Sequence, residues 1–104
     1  MQPVYEIARY KAKPGVGAAR LREALGALHA FVAARPGCQG IQTFLDEDGV
    51  SATDVLAWRS RAEADAAMAA TEHDASLQAL MPLVQPDSFS CSYGTLVLET
   101  QSQA

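Results

Sequence analysis

Positive charge is scarce in this sequence and nowhere clustered. Eight Lys and Arg stand against twelve Asp and Glu, for a net charge of −4. Binding a nucleic acid or an anionic membrane surface takes several converging cations that displace counterions, so the charge pattern argues against both partners. Cysteine is also sparse: Cys38 and Cys91 lie far apart with no CxxC or Cys/His ligand spacing. No structural zinc is expected, and the two thiols read as reduced, partly buried small residues. No run approaches the roughly 18 apolar residues that a spanning helix requires. Glu6, Arg9 and Lys11 interrupt the stretch from Met1 to Lys11, which does not read as a secretory signal, so a cytoplasmic address is the default expectation. There is no nucleophile motif, no Gly-rich phosphate loop and no HExxH spacing, so no cofactor or metal is expected.

What remains is the composition of a packed domain. Of 104 residues, 49% are hydrophobic and 19% charged, which leaves room for one folded unit with one sheet and two or three helices. The run from Val4 to Lys13 is rich in aromatic and β-branched residues and ends at Pro14-Gly15, the signature of a strand and turn. The period then changes. Leu21, Leu25, Leu28 and Val32 recur at helical spacing, predicting a helix from about Gly17 to about Ala34, stopped by Pro36-Gly37. A second strand, Gly40 to Leu45, and a third, Ala52 to Arg59, flank the polar turn Asp46-Glu47-Asp48-Gly49 and read as a hairpin. Ser60 and Glu63 have capping-box spacing at the start of an alanine-rich helix. That helix is expected to break near Thr71 to Asp74 and to resume through Leu77, Leu80 and Met81. Pro82 and Pro86 end it, before a last strand from Phe89 to Leu98.

The order β-α-β-β-α-β predicts an α+β, ferredoxin-like fold: a four-stranded antiparallel sheet with its helices on one face. Apolar residues at consecutive positions, Val55 to Trp58 and Leu96 to Leu98, imply that the other face is covered too. A second copy of the chain is the expected cover, because symmetric self-association is the commonest way to bury such a patch. Two sheets face to face would then form a barrel-like homodimer around a small-molecule chamber.

Three segments carry a resemblance: Lys13-Pro14-Gly15 after the first strand, Arg35-Pro36-Gly37 at the helix exit, and the junction from Trp58 to Ala64. With this element order they make the chain, from about Val4 to about Leu98, similar to the antibiotic biosynthesis monooxygenase family of dimeric α/β barrels. One branch of that family oxidises polycyclic phenols to quinones with O₂ and no metal or flavin. The resemblance places its substrate-facing asparagine, tryptophan and tyrosine at Asp54, Trp58 and Ala64, of which only the tryptophan is kept. A haem-degrading branch has its asparagine, second tryptophan and histidine ligand where this chain has Ala8, Ala67 and Leu77, with His73 one helical turn before the last.

The candidate catalytic residues are therefore Asp54, Trp58 and His73. Trp58 shares a strand face with Asp54 and Leu56, and its indole offers a flat wall and one N–H donor, or is simply a core residue. Asp54, if buried beside that wall, suits the removal of a phenolic or activated C–H proton; otherwise it is a solvated residue near the strand start. His73 is a base or a surface residue at a helix break. His29 flanks the apolar stripe of the first helix and has no evident chemical neighbour in the sequence. Tyr5, Tyr10 and Tyr93 are strand tyrosines that could add phenol donors. Two functions stay open: a cofactor-independent monooxygenase acting on a small aromatic or enolisable substrate, and a non-catalytic dimeric barrel that binds a small apolar ligand. Haem degradation is a distant third.

Overall fold

The computed structural model describes residues 2–103. Along the chain come β1 (Val4–Lys11), α1 (Gly17–Ala33), β2 (Cys38–Leu45), β3 (Ser51–Trp58), α2 (Arg61–Thr71), α3 (Ala75–Leu80), a 3-10 turn (Met81–Leu83) and β4 (Ser90–Thr95). The strands form one antiparallel sheet in the order β2-β3-β1-β4, which makes the fold α+β and ferredoxin-like. The second helical segment is interrupted where the sequence predicts. Asp74 caps α3, its carboxylate accepting from the Ser76 N–H at 2.9 Å.

The apolar stripe of α1 is buried as its spacing dictates, with Leu21, Leu25, Leu28 and Val32 packed into the core. On β3 the alternation is regular. Ala52, Asp54, Leu56 and Trp58 are buried beneath the helices, while Ser51, Thr53, Val55 and Ala57 lie half-buried on the outer face. The cross-strand partners of these outward residues include Tyr5 and Ile7 of β1 and Phe44 of β2, so the outer face carries an apolar strip as expected. The last strand is shorter than its composition suggests. β4 stops at Thr95, and Val97 and Leu98, 94% and 81% exposed, belong to a tail beyond the sheet. Those two residues therefore do not contribute to a two-faced apolar strand.

Of the glycines, Gly37 at the entry into β2 has the closest surroundings. Gly37 has φ +84°, and a Cβ there would lie 2.5 Å from the Glu63 carboxyl carbon. The close approach brings the Gly37 carbonyl to the Arg59 N–H at 2.8 Å, tying the end of β3 to the exit from α1. Ser60 caps α2 as predicted, its hydroxyl accepting from the Glu63 N–H at 3.2 Å. The reciprocal half of the capping box is not made through the backbone: the Glu63 carboxylate accepts from the Ser60 hydroxyl and from the Arg59 guanidinium instead.

Gly15 has a similar φ, +85°, but open space around it. Chemical denaturation should separate the two positions. Gly15→Ala is expected to cost about 1 kcal/mol, from the left-handed backbone alone. Gly37→Ala should cost about 2–3 kcal/mol, because Glu63 must also leave its partners. Equal losses would mean that the Gly37–Glu63 contact has no structural weight.

Candidate active site

A cavity of about 330 Å³ lies between the inner face of the sheet and the helices. The sequence predicts a ligand chamber between two sheets of a dimer; this cavity is formed by one chain, on the other face of the sheet. Alternation explains the difference, because Asp54 and Trp58 fall in the buried register of β3 and so face α1, α2 and α3. Leu28 and Val32 of α1, Ala67 and Met68 of α2, and Leu77 and Leu80 of α3 form the roof. The floor is Glu6, Ala8 and Tyr10 of β1 with Asp54, Leu56 and Trp58 of β3. Gln85, Asp87 and Phe89, from the segment entering β4, also line it.

Asp54 is held by two hydroxyl donors. Tyr10 donates to Oδ1 at 3.1 Å and Thr43 of β2 donates to the same oxygen at 2.7 Å. Thr43 is the cross-strand neighbour of Asp54, and Tyr10 lies diagonally across the β1–β3 pairing, two residues beyond Ala8, which pairs with Asp54. Burial raises the Asp54 pKa above the ordinary carboxylate range, against the two hydrogen bonds and the nearby His29, which favour the anion. Tyr10 is pushed up as well, by burial first and then by the Asp54 charge, so its phenol stays a donor.

Trp58 is 1% exposed and is both a cavity wall and a core residue. Its Nε1–H donates to Glu6 Oε1 at 3.0 Å, so the indole donor expected to meet a substrate oxygen is already engaged. Glu6 itself is buried, and burial raises its pKa despite the bonds from Trp58 and Cys91; the Asp54 charge raises it further. The sequence marks Glu6 only as a polar interruption. An acid two residues from Ala8 and four from Tyr10, in the inward register of a strand, is the signal that could have identified it.

The remaining candidates are dispersed. His73 sits exposed in the turn between α2 and α3 and does not line the cavity. The predicted break falls where expected, and its consequence is that the imidazole faces away from the site. Ala64, at the tyrosine position of the phenol-oxidising branch, is completely buried and offers no polar atom. Ala8, Ala67 and Leu77, at the three haem-branch positions, all lie on the cavity wall and carry no group that could ligate iron, and neither histidine nor cysteine is among the lining residues. Tyr5 faces outward, and Tyr93 stacks under the Arg61 guanidinium, 3.6 Å from its ring centre. His29, for which the sequence shows no neighbour, has one: its Nε2 lies 2.7 Å from the Thr43 hydroxyl.

No protein-family model and no curated protein sequence matches the chain. Solved structures do. Rv0793 from Mycobacterium tuberculosis is 21% identical, with a TM-score of 0.73 over 95% of this chain and 99% of that one. SnoaB from Streptomyces nogalater, a cofactor-independent oxygenase, is 18% identical with a TM-score of 0.71 over the full length of both. A Bordetella bronchiseptica protein provisionally named an antibiotic biosynthesis monooxygenase is 19% identical, with a TM-score of 0.72 over 94% of this chain and 100% of that one. The chain thus has the fold of these proteins, as its element order and junctions led us to expect; at such identities the likeness is one of fold.

A carboxyl whose pKa is higher in the folded than in the unfolded chain carries extra proton in the fold between those two values. Stability therefore declines as pH climbs through that window. For Asp54 the window opens near pH 4, where an unfolded aspartate ionises at about 3.9, and closes at the raised folded value. Asp54→Asn keeps an oxygen acceptor for Tyr10 and Thr43 without a charge to bury. Its melting temperature relative to the parent chain should rise between pH 4 and pH 8; a difference that stays flat would mean that Asp54 titrates as it does in the unfolded chain.

Proposed function

We propose that the chain is a cofactor-independent oxygenase that binds a small, uncharged phenol or enolisable aromatic in the cavity between sheet and helices, with Asp54 as the base. The observation that carries this reading is the Asp54 carboxylate: buried among apolar walls, fixed through one oxygen, and raised towards the pH range in which a general base works best. The fold shared with SnoaB supports the same class of chemistry.

In this scheme Asp54 takes a proton from an activated CH₂ or a phenol, leaving an electron-rich anion against the Trp58 ring. The anion passes one electron to O₂, and the resulting substrate radical and superoxide combine into a C–O–O⁻ adduct, which takes the proton back from Asp54. Loss of the second C–H proton, cleavage of O–O and departure of hydroxide, which that proton converts to water, turn CH₂ plus O₂ into C=O plus H₂O. The substrate carries the reactivity; the protein orients it and controls one proton. Glu6, Asp54 and Asp87 line the cavity and no Lys, Arg or His is among the lining residues, which disfavours substrates that carry a carboxylate.

A competing reading, a barrel that binds a small apolar ligand without oxidising it, is favoured by two observations. The Trp58 N–H is occupied by Glu6, and Ala64 stands where the phenol-oxidising branch has a tyrosine. In both readings we take the working unit to be a homodimer. The half-buried Tyr5, Ile7, Val55 and Ala57, with Phe44 53% exposed, form an outer-face strip suited to a second copy of the same sheet.

Oxygen uptake with a panel of anthrones and hydroquinones distinguishes the two. We expect turnover that Asp54→Asn lowers by about 10²-fold or more while the ligand still binds, and an anthrone carboxylate bound about 10-fold more weakly than its neutral parent. Uptake at zero for every compound, with ligand bound in air and unchanged in native mass spectra, would leave the binding reading. Light scattering should give twice the 11.0 kDa chain mass, and Val55→Asp should give the single chain; a parent protein that is already monomeric at micromolar concentration removes the dimer.

A further inference from the structure

The network around Asp54 does not end at the cavity. Thr43 and His29 line a second, open groove of about 460 Å³ between α1 and the edge strand β2, together with Arg22, Leu25 and Leu45. Neither residue lines the inner cavity, and Asp54 does not line the groove. The Thr43 hydroxyl is the link between them. On one side it lies 2.7 Å from His29 Nε2, and on the other 2.7 Å from Asp54 Oδ1.

The inventory of protons sets the direction of this link. A hydroxyl has a single hydrogen, and an ionised carboxylate can only accept. With Asp54 ionised, the Thr43 proton must lie towards Oδ1, so the Thr43 oxygen can only accept from His29 and the imidazole must present Nε2–H. Tyr10 donates to Oδ1 as well. Two donors thus converge on one carboxylate oxygen, and neither uses the other. Histidine is the terminal donor that polarises the chain from the solvent side.

We propose that His29 is a positioning residue for Asp54: through Thr43 it directs a hydrogen bond onto Oδ1 and leaves Oδ2 as the oxygen that meets the ligand in the cavity. The proposal rests on the reading of Asp54 as the base of the site. It also accounts for a half-buried histidine on the flank of α1 that packing alone does not require. The groups that set the charge state of this unit come from several elements. Tyr10 of β1 and His29 of α1 act on Asp54 of β3 directly, the Asp54 charge acts on Glu6 of β1, and Cys91 of β4 and Arg61 of α2 act at one remove through Glu6; Arg22 of α1 faces the groove, and Asp87, before β4, faces the cavity. α2 and α3 present only uncharged side chains to the cavity.

The test follows the Asp54 carboxyl directly. The full chain is labelled with ¹³C at aspartate side-chain carboxyls, Asp54 is assigned by its loss in Asp54→Asn, and its titration midpoint is measured in four variants. His29→Leu removes the terminal donor, and Thr43→Val removes the link. His29→Gln retains an N–H near the Nε2 position, and Thr43→Ser retains the hydroxyl. We expect Thr43→Val to raise the midpoint by about 1 pH unit, the size of one charge-assisted hydrogen bond. His29→Leu should raise it in the same direction by less, and His29→Gln and Thr43→Ser should restore the parent value.

A midpoint that His29→Leu leaves in place, or that His29→Gln and His29→Leu shift equally, overturns the proposal. Should His29→Leu fail to fold, His29→Met supplies the same comparison. The oxygenase reading is scored separately, by oxygen uptake with anthrone. Shifted midpoints without any turnover keep the positioning role and remove the oxidation, whereas turnover with unmoved midpoints does the opposite. Where both hold, the acid limb of the kcat profile in His29→Leu moves with the midpoint, while KM for anthrone stays at the parent value.

Discussion

Two carboxylates on the buried face of a sheet are the constraint around which this molecule is arranged. Period-two alternation commits every inward position of β1 and β3 to the helix side, and Glu6 and Asp54 occupy two of them. Neither can be left unpaired there without a cost of several kcal/mol. Each has therefore drawn its own donors: Trp58 and Cys91 for Glu6, Tyr10 and Thr43 for Asp54. The single tryptophan, one of three tyrosines and a threonine of the edge strand are placed by this requirement as much as by hydrophobic burial. The two networks share one floor, and each carboxylate makes ionisation of the other harder, so the site resists carrying two negative charges at once.

The fold was legible wherever local chemistry and periodicity agree. The step from period two to the Leu21–Val32 stripe, the Pro-Gly punctuation on either side of it, and the serine cap before α2 each hold in the structure to within a residue or two. Legibility failed where composition stood in for pairing. Leu96, Val97 and Leu98 have strand-like side chains, but β4 ends one residue earlier; β1, its neighbour, offers Val4 as the last pairing partner, opposite Thr95. A segment beyond the end of its partner has no ladder to join, whatever its β propensity. Two-faced greasiness thus holds for Val55–Trp58, inside the sheet, and not for the tail.

The site was legible in part, for a related reason. Trp58 and Asp54 are neighbours in one strand and could be placed on one face by counting. Their partners could not: Glu6 is 52 residues from Trp58, Tyr10 is 44 from Asp54, and His29 of α1 is 14 from Thr43 of β2. The β1 partners depend on the β1–β3 register, which is set across a long connection rather than by a hairpin turn, and His29 depends on how α1 lies over the edge strand; neither can be counted from local sequence. His73 shows the converse. Its position at a helix break was read correctly, but helical phase alone could not show that the break turns the imidazole to solvent.

The cavity follows from the same economy of side chains. Ala8 on the sheet side and Ala67 on the helix side both line the cavity, where larger side chains would reduce its volume. A void lined this way forfeits dispersion contacts that a close-packed core would have made, and the buried acids add a desolvation cost that rises with pH. Both penalties fall on the inner face of β1 and β3, while Leu21 of the α1 stripe and Ala12, Ala52 and Ala64 pack in the core away from the cavity. The core concentrates its destabilising features at one place, with a paired sheet beneath and a polar link to the surface beside it, which is the arrangement the proposed site requires.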